Sequence, residues 1–155
     1  MTSISKKIYF ASDQHFGAPT PELSFPREQK FVAWLDEVKK DAEAIFLLGD
    51  LFDFWFEYKT VVPKGFVRVL GKLAEIRDSG IPIYFFVGNH DLWMNDYFEK
   101  ELNIPVFHEN QEYTFHGKTF LVGHGDGKGP GDLGYKRMKK VFTNPFSKWL
   151  FRWLH

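Results

Sequence analysis

The sequence predicts an α/β domain: a sheet with helices on its faces and a polar site along the carboxyl edge of its strands. Three observations carry this. Apolar runs too short for ordinary helices alternate with stretches of helical periodicity. Four such runs stop at glycine, carboxylate or imidazole: 8–12 at Asp13-Gln14-His15, 46–48 at Gly49-Asp50, 83–87 at Gly88-Asn89-His90-Asp91, and 120–122 at Gly123-His124-Gly125-Asp126. Finally, 155 residues of which 44% are apolar suffice for one core without covalent staples.

Taken in order, the first strand and its Asp13-x-His15 lead into a loop with Pro19, Pro21 and Pro26. A helix follows because Phe31, Trp34, Leu35 and Val38 recur at i, i+3, i+4 and i+7, with Ser24 as a candidate N-cap. The second strand, 44–48, delivers Asp50. Residues 52–58 then hold too many large aromatics for a solvent loop. A second helix is expected over 63–79, where Pro63 suits a first turn, Phe66, Leu70, Leu73 and Arg77 share a face, and Gly80 can terminate it. The third strand spans 81–87, with Pro82 tolerable at its start. Trp93, Met94, Tyr97, Phe98 and Leu102 then predict a short amphipathic helix. Residues 112–115 and 118–122 flank His116-Gly117, the length of a tight hairpin. This alternation predicts helices on the faces of a sheet whose strand ends form the site.

Composition narrows the chemistry. Without cysteine there is no disulfide or thiolate metal site, so any cation must be held by oxygen and imidazole. No apolar run is long enough to span a bilayer, and the basic start has no signal-peptide pattern, which predicts a cytoplasmic protein. The formal net charge of zero hides an asymmetry: residues 1–127 carry 13 Lys+Arg against 19 Asp+Glu, and 128–155 carry 7 against 1. We therefore divide the chain into a core, 1–127, and a basic aromatic segment, 128–155. In that segment Tyr135, Met138 and Phe142 run with Lys136, Arg137, Lys139 and Lys140; after Asn144-Pro145, Phe146, Trp149, Leu150 and Trp153 repeat at helical spacing. Its periodicity fits a core-covering helix pair, an aromatic lid or membrane-surface patch, or a nucleic-acid surface, the last the least favoured.

Singly, each strand-end motif reads as a turn or a helix cap. Jointly, four at four strand ends predict a site. Asp13 and His15 can approach one cation if the loop turns between them, while Asp50, Asn89 and His124 add a carboxylate, an amide oxygen and an imidazole. This mixed set suits manganese, iron or zinc better than calcium. Two cations about 3.5–4 Å apart could share one carboxylate and clamp a phosphate, and Asp50 is the natural bridge.

Asp13-x-His15, Gly49-Asp50-x-x-Asp53, Gly88-Asn89-His90-Asp91 and Gly123-His124-Gly125-Asp126, in this order, resemble the calcineurin-like metallophosphoesterase superfamily. The likeness covers almost the whole chain and implies a layered α/β sandwich. Within it, Ser12-Asp13-Gln14-His15-Phe16-Gly17, Asp53-Phe54-Trp55 and His124-Gly125-Asp126-Gly127 resemble the UDP-2,3-diacylglucosamine pyrophosphohydrolases of lipid A synthesis. The resemblance implies two divalent cations, manganese above all, with Asp13 and His15 on one, Asp50 bridging, and Asn89 and His124 on the other. His90 would serve the substrate phosphate, with Asp91 orienting it; Asn89, Asp126, Tyr135 and Arg137 join it as candidate substrate contacts. The implied reaction splits a lipid nucleotide into UMP and 2,3-diacylglucosamine 1-phosphate beside the inner membrane, and tilts 128–155 towards a lid or lipid contact. No obligate protein partner is expected.

Two departures matter. Many members of the narrower family carry arginine where this chain has His90, which bears on substrate and not on the metal ligands. The superfamily's later Gly-His-x-His, one imidazole per cation, has no counterpart here; His108 and His116 lack that context. The sequence is therefore expected to be an N-terminal portion of a longer protein, with partial cation occupancy. Alternatives are a phosphoesterase of the same fold acting on another phosphodiester or a nucleic acid, and a non-catalytic scaffold.

Overall fold

A computed structural model describes residues 6–58, 60–125, 141–142 and 144–153. Its centre is a parallel sheet of β1 (Lys7–Ala11), β2 (Ala42–Leu47), β3 (Ile83–Phe86) and β4 (Val106–Phe107), in that order. Ala11 pairs with Leu47, Leu47 with Phe85 and Phe85 with Val106, so the carboxyl ends lie nearly level. Parallel strands need crossovers, here made by α1 (Pro21–Val38), α2 (Val67–Asp78) and α3 (Tyr97–Leu102). The hairpin of β5 (Gln111–Phe115) and β6 (Lys118–Val122) forms a separate two-stranded sheet.

Alternation along β2 sends side chains into two cores. Ile45 and Leu47, with Ile83 and Phe85 of β3, join Phe31 and Leu35 of α1, Leu73 and Ile76 of α2, and Phe98 of α3. Ala44 and Phe46, with Phe86, face Val122, Tyr113 and Phe115 of the hairpin. There Phe46 stacks on Tyr84 at 4.8 Å and meets Tyr113 edge-on at 4.9 Å. The result is a three-layer sandwich of helices, parallel sheet and hairpin.

Element boundaries differ from expectation where a tertiary contact decides them. α1 begins at Pro21, ahead of the start that Ser24 as N-cap would give: Thr20 is the N-cap, its hydroxyl accepting from Leu23 N at 3.3 Å, and Pro21 takes the first turn. Pro26 forfeits a single backbone bond inside the helix. Ser24 is buried and accepts instead from Gly17 N at 2.8 Å. α2 begins at Val67 rather than Pro63, because buried Glu28 of α1 accepts from Val69 N at 3.2 Å and fixes its first turn. The third helix is shorter than its apolar spacing suggests. Trp93 bridges Phe56, and buried Glu57 accepts from Asp96 N and Tyr97 N at 2.7 and 3.1 Å, setting the start of α3. Glu57 also accepts from Trp55 Nε1 at 3.0 Å, which ties the aromatic loop 52–58 into the interior. β4, two residues long, escapes any periodicity.

Residues 126–140, and with them Asp126, Tyr135 and Arg137, lie outside the described residues. Beyond them α4 (Pro145–Trp153) leaves Phe146, Trp149, Leu150 and Trp153 exposed. Trp93 Nε1 donates to Phe142 O at 2.7 Å, joining this segment to the loop after β3. Among the described residues no helix is long and apolar enough to cross a membrane.

Candidate metal centre

Past their strand ends, the loops after β1 and β2 continue to pair through backbone bonds from Asp13 N to Gly49 O, His15 N to Asp50 O and Phe16 N to Leu51 O. Asp13, His15 and Asp50 adopt left-handed backbone, with φ of 60°, 45° and 53°. Such conformations cost about 1–3 kcal/mol each outside glycine and persist when their surroundings over-determine them. They supply the turn that lets Asp13 and His15 face the same point as Asp50. Glycine is required beside them: a Cβ on Gly88 would lie 2.1 Å from Asp50 Oδ1 and 2.6 Å from Asp50 N, and one on Gly49 would lie 2.6 Å from Gly88 N.

Asp50 is the buried centre. Its Oδ1 accepts from His90 N at 2.9 Å; its Oδ2 lies 3.8 Å from His15 Nε2 and 3.5 Å from His124 Nε2. His15 Nε2 is 3.9 Å from Asp13 Oδ1, and His124 Nε2 is 3.3 Å from Asn89 Oδ1. Ligand atoms sit about 2.0–2.2 Å from ions of the zinc type, so two on one ion are at most about 4.4 Å apart, and all these separations fit. Asp13, His15 and Asp50 are therefore close enough to hold one cation, as are His15, Asp53 and His90, and Asp50, Asn89 and His124 gather on the other side of the shared Asp50.

The supporting contacts set protonation. His124 Nδ1–H donates to Leu48 O at 2.6 Å, which fixes the ring and turns Nε2 towards Asp50 and Asn89. Burial pushes the Asp50 carboxyl up, but the His124 ring and the His90 N–H outweigh it and hold the group below the ordinary carboxylate range. Ser12 Oγ donates to Asp13 Oδ2 at 2.5 Å.

His90 packs edge-on against His15, ring centres 4.6 Å apart. Its orienting partner is not Asp91. His90 Nδ1–H donates to Asp53 O at 2.8 Å, and the Asp53 carboxylate stands 3.4 Å from His90 Nδ1 and 3.6 Å from His15 Nδ1. Asp91 is fully buried and accepts from Gly88 N at 2.6 Å and Leu51 N at 3.1 Å, clamping two ligand loops together. Burial pushes its carboxyl up to about 6 against the pull of those N–H groups. Asp53 carries no role in the sequence reading, although its place in Gly-Asp-x-x-Asp marks it. The Leu48 carbonyl has no signal a sequence could give. His116 sits at the hairpin turn and pairs with Glu43 at 3.1 Å.

A level parallel sheet whose loops gather carboxylates, amide and imidazoles around one buried aspartate defines a metal-dependent phosphoesterase architecture. Residues 6–154 match the calcineurin-like phosphoesterase family, and the chain belongs to it. Proteins named UDP-2,3-diacylglucosamine hydrolase are similar along nearly all of its length. That from Porphyromonas gingivalis is 42% identical over 150 residues, covering 96% of this chain and 57% of the relative. The Edwardsiella ictaluri protein is 32% identical, covering 92% and 53%, and the Actinobacillus succinogenes protein 31%, covering 94% and 60%. The chain therefore spans between half and three-fifths of the length of these relatives. A crystal structure of a protein of unknown function from Aquifex aeolicus shares the fold, with a TM-score of 0.55 at 21% identity over 87% of this chain and 71% of that one.

Proposed function

We propose that this chain hydrolyses the pyrophosphate of UDP-2,3-diacylglucosamine to UMP and 2,3-diacylglucosamine 1-phosphate. The observation that carries the hydrolytic part is the convergence of Asp13, His15, Asn89 and His124 on the shared carboxylate of Asp50. The names of the relatives supply the substrate. Asp13, His15 and Asp50 would hold one divalent cation and Asp50, Asn89 and His124 a second, with manganese preferred and iron or zinc compatible with the same donors. When bound, such ions polarise a phosphoryl oxygen and lower the pKa of water.

The remaining work falls to the chain's own residues. Asp50 fixes the two ligand groups to one another. His90, tied through Nδ1 to the Asp53 carbonyl, keeps Nε2 for the substrate phosphate, where it can deliver a proton to the departing oxygen. The rings of Phe54, Trp93 and Phe142 run from the neighbourhood of Asp53 towards α4, with centroid spacings of 5.6 and 5.5 Å. This shelf, with Phe54 and Phe142 exposed and Trp93 half-buried between them, suits acyl chains and contact with the cytoplasmic face of the inner membrane. Asp126, Tyr135 and Arg137 would add substrate contacts.

The test is release of UMP from UDP-2,3-diacylglucosamine by the Mn2+-supplemented chain, abolished by chelation. Cleavage of a generic phosphodiester without UMP release would keep the phosphoesterase and discard this substrate. Silence on both, with Mn2+ bound, would make the site a binding scaffold.

A further inference from the structure

The loop that presents Asp13 and His15 is held from outside by α1. Arg27 Nη2 donates to His15 O at 2.6 Å and to Ala18 O at 2.7 Å, and lies 3.4 Å from Ser24 Oγ. Ser24, buried in the first turns of the same helix, accepts from Gly17 N. Two successive turns of α1 therefore grip the backbone on both sides of Phe16. That ring is fully buried and edge-on to Phe31 of α1 and to Phe52. His15 itself is in the left-handed region, where an imidazole-bearing residue relaxes unless it is held. Its N–H is engaged by Asp50 O and its carbonyl by Ala18 N and Arg27, so both peptide groups flanking the strained Cα are fixed.

We propose that Arg27 is a positioning residue for the cation site of Asp13, His15 and Asp50: by capturing the His15 carbonyl it keeps the imidazole aimed at Asp50. It acts through the backbone and touches no ligand side chain in that group. In the Asn89 and His124 group the imidazole is held instead by Leu48 O, at the end of β2. The proposal rests on the two-cation reading above, and the two can fail separately.

The experiment is Mn2+ titration of the chain, counting free Mn2+ by electron paramagnetic resonance, in two backgrounds. His124→Ala leaves the Asp13, His15 and Asp50 group; His15→Ala leaves the Asp50, Asn89 and His124 group. In the His124→Ala background Arg27→Ala should weaken Mn2+ binding about 10-fold or more, the size of effect seen when a partner that orients a ligand is removed. In the His15→Ala background it should change nothing. Arg27→Lys, whose ammonium can still donate to a carbonyl, should recover part of the loss. Equal weakening in both backgrounds would reduce Arg27 to a general stabiliser and overturn the assignment, as would unchanged binding in the His124→Ala background. A His124→Ala chain that takes up no Mn2+ with Arg27 intact would overturn the cation site itself.

Discussion

The two ligand groups share one carboxylate and differ in almost everything else. On one side the side chains of Asp50 and His124 are 4% and 9% exposed, and the imidazole is fixed by a backbone carbonyl. On the other, His15 and Asp13 are 31% and 60% exposed and stand on left-handed backbone. The buried group is built by folding: its geometry follows from strand ends and glycine contacts, and its charges are poorly screened. The open group has two residues of its own, Asp13 and His15, set against local preference, as the shared Asp50 also is, and depends on neighbours that hold them. The carboxylate and imidazole of the buried side are thus fixed by packing, while Asp13 and His15 face solvent.

Removing what the two sides share should have the largest effect. Asp50→Asn preserves size and one acceptor yet should end uptake at both positions and lower hydrolysis by about 100-fold or more, read by Mn2+ counting and product release. Next comes Gly88→Ala, whose new methyl would meet the Asp50 carboxylate and backbone. It should destabilise the fold by about 1–3 kcal/mol in urea titration, because backbone cannot step aside. Gly71→Ala in α2, with nothing within 4 Å, should instead stabilise by about 0.5–1 kcal/mol.

Third, His124→Ala removes one of two donors to the half-buried Leu48 carbonyl, the other being Ser12 Oγ at 3.2 Å, and should cost about 0.5–1.5 kcal/mol, whereas His15→Ala should stay within about 0.5 kcal/mol. Equal losses in chemical denaturation would erase the contrast between the two sides. The smallest effect has the opposite sign. His15→Gly relieves a left-handed side chain, worth about 1–2 kcal/mol, at a glycine entropy cost of about 0.5–1 kcal/mol, so it should raise stability by up to about 1 kcal/mol while weakening Mn2+ uptake.

The layered fold, the hairpin about His116-Gly117 and the strand ends that carry Asp13, His15, Asp50, Asn89 and His124 were legible in the sequence, because periodicity and abrupt polar stops are local signals. What sequence missed was decided by partners distant in the chain. Glu28 starts α2, Glu57 starts α3, and Asp53 rather than Asp91 orients His90, none of which spacing can encode. The convergence of four strand ends was anticipated, but β6 brings His124 from a second sheet. Asp91 was marked by its motif, while its work as a clamp between loops required seeing Leu51 N and Gly88 N on one carboxylate.

The level pairing of Leu47 with Ala11 and Phe85 has a consequence for how the chain finds its native state. From Ala44 to Leu47 β2 is apolar on both faces, so polarity there does not tell it which neighbour residue to meet. A slip by one residue would displace Asp50 by about 3.3 Å relative to β3, as large as the gaps between ligand atoms. Gly49 against Gly88 and Asp91 across both loops reject such a slip sterically and by hydrogen bonding. The carboxyl end of the sheet therefore acts as a proofreading mark: Asp50 meets His15, His90 and His124 only in a chain whose strands have already aligned.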